Sequence, residues 1–85
     1  MTAVERVQRI FRDALVMEVP MNGTDILESG MLDSLTLVTL IFEVEQEFGV
    51  VVPLETMDID DLRTVDRIAG LAERLQEAQR EGSHP

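Results

Sequence analysis

One serine of this chain stands where a turn-rich loop meets a long apolar stretch, within the segment Gly30–Leu35 (GMLDSL). Helix N-termini leave backbone N–H groups unpaired and carry a partial positive charge, so an anion such as a phosphodiester is favoured there. Asp33 is a strong N-cap type and can cap the helix even if the Ser34 hydroxyl is esterified. Ser34 is therefore a candidate attachment point. The same residues also suit an ordinary helix start, and both interpretations remain open at this stage.

The length and composition exclude several classes of protein. A chain of 85 residues forms one small domain with a modest core, and an enzyme is not expected. There is no cysteine, so disulfides and thiolate metal sites are excluded, and the one histidine, His84, lies in a polar tail. No apolar run has membrane-spanning length and the N-terminal residues are no signal peptide, so we expect no membrane insertion and a cytoplasmic location.

The charge is strongly acidic and unevenly distributed. The net charge is -10, from 17 acidic and 7 basic residues, which argues against nucleic acid and for basic protein partners. All basic residues are arginines, and none lies between Arg12 and Arg63. Many acidic residues fill that interval, which also contains Ser34. A solvated acidic surface and a docking surface for cationic partners both explain this pattern.

The first helix is predicted from Thr2 to about Val19, with Thr2 and Glu5 as a capping box and turn formers at 20–23 ending it. Its apolar stripe consists of Val4, Val7, Phe11, Ala14 and Leu15, with Ile10 and Met17 alongside. A long connection over residues 20–33 should follow. Loops of this length usually have a function or pack against the core, and its expected anchors are Ile26, Leu27 and Leu32.

The second helix is predicted from Ser34 to about Phe48, with too many apolar residues for one face. The expected core stripe is Leu37, Ile41, Val44 and Phe48, with Leu40 alongside. A second row, formed by Leu35, Val38, Phe42 and Glu45, lies on another face. Exposed apolar rows tend to be contact sites, although a central helix buried nearly all round would show the same pattern.

The remaining segments complete an all-α fold. Gly49 should end the second helix. Residues 50–52 should form an extended connector that buries Val52. A short third helix should follow over Pro53–Leu62, with Met57 or Ile59 and Leu62 facing inward. Thr64 is a good N-cap for a fourth helix from Val65 to about Arg80. The prediction is a small bundle of three main helices and one short helix, with a single domain over 1–81 and a disordered tail over 82–85.

No metal site is expected. Three acidic residues, Asp58, Asp60 and Asp61, are spaced like the start of a calcium loop. Such a loop needs a central glycine and a glutamate at its twelfth position, where this chain has Ala69.

With a capped serine at the start of the second of four helices, the chain resembles an acyl or peptidyl carrier protein. The resemblance covers the chain from Val4 to Leu75. The residues that carry it are Gly30, Leu32, Asp33, Ser34, Leu35, Glu45, Phe48 and Pro53.

The resemblance implies a covalent 4′-phosphopantetheine arm on Ser34, with Asp33 and Leu35 beside it. A phosphopantetheinyl transferase would add the arm from coenzyme A, and its thiol would carry an acyl or aminoacyl group as a thioester. The implied partners are that transferase, a loading ligase, adenylating enzyme or acyltransferase, and downstream synthase or tailoring enzymes, with the carrier itself a monomer. The expected partner face comprises Met31, Val38, Phe42, Glu43, Glu45 and Glu47.

Some residues depart from the fatty-acid type of carrier. Thr36 and Thr39 stand where that type usually has additional acids, and residues 57–60 are similar to D-alanyl carriers and to free-standing carriers of secondary metabolism. We therefore expect a discrete carrier in polyketide or nonribosomal peptide biosynthesis, with a D-alanyl or fatty-acid carrier as the alternative.

Two functions of another kind share features with this sequence. A helical interaction module that binds partners without a covalent arm predicts the same exposed row on the second helix. A serine hydrolase with a Gly-Asp-Ser-Leu motif is disfavoured, because Leu32 occupies the glycine position and no internal histidine exists.

Overall fold

The structure, a computed structural model, describes residues 1–82 and the side chains of residues 1–80. Its elements are α1 (Ala3–Arg9), a π-helix (Ile10–Ala14), α2 (Ser34–Phe48), a 3-10 helix (Ile59–Leu62) and α3 (Val65–Gly82). No β-strand occurs among the described residues. The predicted all-α class, with three main helices and one short one, is confirmed.

The first helix begins as predicted and ends earlier. The backbone N–H of Glu5 donates to the Thr2 hydroxyl at 3.1 Å and that of Thr2 donates to the Glu5 carboxylate at 2.9 Å, which confirms the capping box. The predicted extension to about Val19 is wrong. After α1 the backbone widens into the π-helix, where Leu15 N–H donates to the Ile10 carbonyl at 3.0 Å, and Val16 then adopts a left-handed φ of 51°.

The π-helix changes which residues face the core. A turn with one extra residue rotates everything after it around the helix axis. Ile10 and Phe11 are both buried, whereas Ala14, predicted to belong to the apolar stripe, is exposed. The prediction for Ala14 is therefore wrong because it assumed a uniform 3.6-residue period.

The core lies where these elements meet. α1 packs against α3, and the π-helix packs against α2. The largest fully buried side chains are Phe11, Ile26, Leu40, Leu62, Ile68, Val7, Val44 and Val65. On α2 the deepest residue is Leu40, at 0% exposure, while Leu37 and Ile41 are only partly buried against the core.

α2 has the predicted bounds. Gly49 follows it with φ 65° and ψ 40°, a left-handed conformation that glycine adopts without a Cβ penalty. In the connector that follows, Val52 is buried as expected, Val50 is buried as well, and Val51 is exposed.

The predicted third helix over Pro53–Leu62 is wrong in extent. Residues 54–56 form a turn, and only the 3-10 helix at its end is helical. The Asp58 side chain accepts the N–H of Asp60 at 2.9 Å, so Asp58 acts as a new N-cap in mid-segment. Leu62 is buried and Met57 packs against the core, whereas Ile59 is half exposed.

The last helix begins as predicted. The Thr64 hydroxyl accepts the N–H of Arg67 at 3.1 Å and so caps α3. α3 continues to Gly82. Residues 83–85 of the predicted tail, with His84, lie outside the described residues.

Candidate functional site

Ser34 is the first residue of α2, and its neighbour Asp33 caps the helix. Asp33 is extended (φ -84°, ψ 178°), and its carboxylate accepts the N–H of Thr36 at 2.7 Å. Ser34 is exposed, and within the described residues its hydroxyl has no hydrogen-bond partner. The cap and the free hydroxyl are thus on different residues, as expected from the sequence.

The charge of Asp33 is stabilised by the helix that it caps. Hydrogen bonds from Thr36, above all from its backbone N–H, lower the pKa of the Asp33 carboxyl below its ordinary value of 3.8. Asp33 therefore stays ionised at neutral pH and keeps its capping role. Modification of the Ser34 hydroxyl would leave this bond in place.

The segment before Ser34 is anchored although it has no regular structure. Ile26 is fully buried and Leu32 packs against the core, which agrees with two of the three predicted anchors. Leu27, the third, is half-buried. The carboxylate of Asp25 accepts the N–H groups of Leu27 and Glu28 at 3.2 and 2.9 Å, which closes a turn. Gly30 then bends the chain with φ 76°.

The outer face of α2 carries an unpacked apolar row beginning beside Ser34. The exposed fractions are 76% for Leu35, 63% for Val38 and 53% for Phe42, so these predicted members of the second row are in solvent. Met31, also assigned to the partner face, is partly buried and packs against the core.

The acidic residues of this helix differ in their surroundings. The carboxylate of Glu45 accepts the N–H of Val52 at 2.8 Å and so holds the connector. Glu47 accepts from Arg6 Nε at 2.9 Å and lies 3.6 Å from Arg9 Nη2. Glu43 is half-buried, and no ion pair involves it within the described part of the chain. Of the three glutamates assigned to the partner face, Glu43 therefore remains unneutralised, whereas Glu45 and Glu47 bind within the protein.

Sequence reasoning missed the contacts that two arginines make. Arg6 donates through Nη2 to the Glu47 carbonyl at 2.6 Å and lies over the Phe48 ring, 4.3 Å from its centroid. Arg63 binds both Asp25 and Asp60. The periodicity of the sequence does not indicate such pairs, because Arg6 is 41 residues from Glu47 and Arg63 is 38 residues from Asp25.

The described residues contain no cluster suited to a metal ion. Among them, no group of three or more histidine, cysteine, aspartate or glutamate side chains could hold a metal ion. None of the helices in residues 1–82 has the length and apolar character needed to cross a membrane.

Comparison with known proteins identifies the family. The family described as "Phosphopantetheine attachment site" matches residues 5–72. The D-alanyl carrier protein of Streptococcus pyogenes serotype M5 (strain Manfredo) is 36% identical over 77 residues, which cover 91% of this chain and 94% of that protein. The D-alanyl carrier protein of serotype M49 (strain NZ131) matches with the same identity and coverage.

Proposed function

This chain belongs to the phosphopantetheine carrier proteins, and we propose that Ser34 bears its 4′-phosphopantetheine arm. The observation that carries the proposal is the free, exposed hydroxyl at the first position of α2, next to an aspartate that already caps the helix. When bound, the arm supplies the thiol that holds a cargo as a thioester. The chain has no cysteine, so that thiol would be the only one present.

The local structure suits a phosphodiester at this position. Attachment forms a bond from Ser34 Oγ to phosphorus and breaks the pyrophosphate link of coenzyme A, which releases 3′,5′-ADP. The hydroxyl proton passes to a base on the transferase. The first turn of α2 presents backbone N–H groups and the positive end of a 15-residue helix to the new anion.

The exposed row on α2 supports a docking surface for the enzymes that act on the carrier. Leu35, Val38 and Phe42 offer apolar contact area starting at Ser34, and Glu43 adds a negative charge within the same helix. The proposed partners are the phosphopantetheinyl transferase, a loading enzyme and downstream synthase or tailoring enzymes. The chain itself supplies no catalytic residue in this proposal, and acts in the cytoplasm as a monomer.

Two kinds of carrier, which differ in their cargo, are candidates for this chain. A discrete carrier of natural-product biosynthesis is favoured by Thr36 and Thr39, which stand where carriers of the fatty-acid type usually have acidic residues. An aminoacyl cargo such as D-alanine is favoured by the relatives named as D-alanyl carriers, which match nearly the whole chain. Because these relatives are named for the amino acid D-alanine, we propose an aminoacyl thioester as the cargo class.

The attachment residue is tested by intact mass. Incubation with coenzyme A and a broad-specificity phosphopantetheinyl transferase should raise the mass by roughly 340 Da, the mass of the arm. Ser34→Ala should abolish the gain with an unchanged circular dichroism spectrum, because Asp33 still caps α2. Thr39→Ala is the matched control, since it removes a hydroxyl five residues further along α2, and it should still be modified.

Two results would reject the assignment. Modification of Ser34→Ala would place the arm on another residue. A wild-type chain that gains no mass would favour the interaction module without a covalent arm. The cargo is then read by mass spectrometry of the carrier isolated from its own cells, where a fatty acyl thioester would reject the aminoacyl proposal.

A further inference from the structure

Arg63 joins the segment that precedes Ser34 to the start of α3. Its Nη1 donates to Asp25 Oδ2 at 2.9 Å, and its Nη2 and Nε both donate to Asp60 Oδ1, at 2.6 and 2.9 Å. Its backbone carbonyl accepts the N–H of Ile26 at 2.8 Å. Residue 63 therefore fixes both the side chain of Asp25 and the backbone that follows it.

The two carboxylate oxygens of Asp25 have different partners. Oδ1 accepts the N–H groups of Leu27 and Glu28, whereas Oδ2 binds Arg63. Hydrogen bonds from Glu28 and then from Arg63 lower the pKa of the Asp25 carboxyl, and the two carboxylates raise the pKa of Arg63. The ion pairs are thus present throughout the neutral pH range.

This cluster bears on Ser34 because helix ends are the least stable part of a helix. The first turn of α2 depends on Asp33 remaining extended. The turn that Asp25 closes leads toward Asp33 through Ser29, whose N–H donates to the Asp25 carbonyl at 3.1 Å and whose hydroxyl accepts the N–H of Met31 at 3.4 Å. A loosened turn would let the first residues of α2 unwind. The hydroxyl would then sample several orientations, and only a fraction of them would suit in-line attack.

We propose that Arg63 is a positioning residue for the attachment reaction, acting through Asp25 to hold the turn before Ser34 in one geometry. This inference rests on the proposed function of Ser34. It predicts that loss of the Arg63–Asp25 contact slows transfer of the arm mainly through kcat, because the transferase still binds the carrier but meets a misoriented hydroxyl.

The test compares variants that touch the same arginine. Arg63→Gln removes the ion pairs and leaves Asp25 Oδ2 without its partner, so that only the hydrogen bonds to Oδ1 still hold the turn. Asp25→Asn keeps one carbonyl oxygen, which can serve the turn or Arg63 but not both. Asp60→Asn is the matched control, because it removes an equal charge from the other side of Arg63 without contacting the turn. Arg74→Gln controls for loss of an arginine, since Arg74 pairs with Asp61 at 3.5 Å.

The readout is the kcat and KM of coenzyme A-dependent modification, at a temperature where circular dichroism shows every variant folded. Arg63→Gln and Asp25→Asn should each lower kcat/KM by about fivefold or more, chiefly in kcat. Both controls should stay within about twofold of the wild type. The loss should persist in 1 M salt, where charges are screened beyond about 3 Å.

Three results would overturn the inference. The first is an Asp25→Asn variant that reacts at the wild-type rate, and the second is an Asp60→Asn variant that slows transfer as much as Asp25→Asn does. The third is a loss of the difference between Asp25→Asn and the wild type in 1 M salt, because Asp25 would then act as a charge that contacts the transferase. If Arg63→Gln does not fold, Asp25→Asn and its control decide. A wild-type chain that takes up no arm rejects the function of Ser34 instead, so the two failures are distinguishable.

Discussion

The two faces of α2 can be separated by truncating one residue on each. Leu40 is fully buried, whereas Val38 is 63% exposed. Leu40→Ala removes a buried branched side chain and leaves a cavity, at a cost of about 2–5 kcal/mol. A domain of 85 residues has a total stability of about 4–13 kcal/mol, so this loss is a large share of it.

Val38→Ala should behave differently because its side chain is already in water. Its cost in unfolding free energy should be within about 0.5 kcal/mol, as for other surface substitutions. If Val38 lies on the docking surface, its truncation should instead lower the rate of arm transfer. Ile41→Ala, at a partly buried position, should fall between the two in stability.

Urea unfolding and transferase kinetics in one buffer give both quantities. With a urea m-value of about 1 kcal/mol/M for a small protein, Leu40→Ala should lower the midpoint by about 2 M or more, and Val38→Ala by less than about 0.5 M. Equal destabilisation by the two changes would show that α2 is buried all round. The docking surface drawn along Leu35, Val38 and Phe42 would then be refuted.

Further predictions concern backbone strain, an ion pair and acid stability. Val16→Gly should raise the melting temperature by several degrees, because a β-branched residue at φ 51° is strained by about 1–2 kcal/mol, while Val51→Gly, at an exposed position without positive φ, should not. Arg6→Ala should cost about 1–3 kcal/mol, because it removes the hydrogen bonds to the Glu47 carboxylate and carbonyl and leaves only Arg9, at 3.6 Å, beside that carboxylate. Arg12→Ala should cost almost nothing in the same thermal unfolding assay, since its ion pair is exposed. Capping by Asp33 contributes stability above its ordinary pKa of 3.8, and this is lost as the pH falls through the lower pKa of the folded state. Below pH 3.8, the free energy of unfolding in urea should therefore fall less steeply with decreasing pH for Asp33→Asn than for the wild type. An equally steep fall in both proteins would contradict the capping argument.

Most of the helix starts could be predicted because they depend on neighbouring residues. The caps by Thr2, Asp33 and Thr64 all involve a side chain and an N–H within three residues, and each was foreseen. The end of α2 at Gly49 is likewise a local effect of a left-handed φ. Ser34 as a candidate site follows from the same local logic, since it adjoins a cap at the start of a helix.

The two errors in the extent of the helices have different causes. The periodicity of the first helix continues past Ala14, but the π-helix places Ile10 and Phe11 together in the core and ends the helix early. The error over Pro53–Leu62 is local: the Asp58 side chain accepts the N–H of Asp60, two residues further on, and so starts a separate 3-10 turn.

The sequence by itself determined the helix starts, the acidic charge and the serine at the head of α2, because caps and charge depend on residues close in the chain. Only the tertiary structure decided which carboxylates remain available and what holds the approach to Ser34. Glu47 binds Arg6 and Asp25 binds Arg63 across 41 and 38 residues. An acidic chain offers each arginine many possible partners, and the packing of the helices decides which of them it binds.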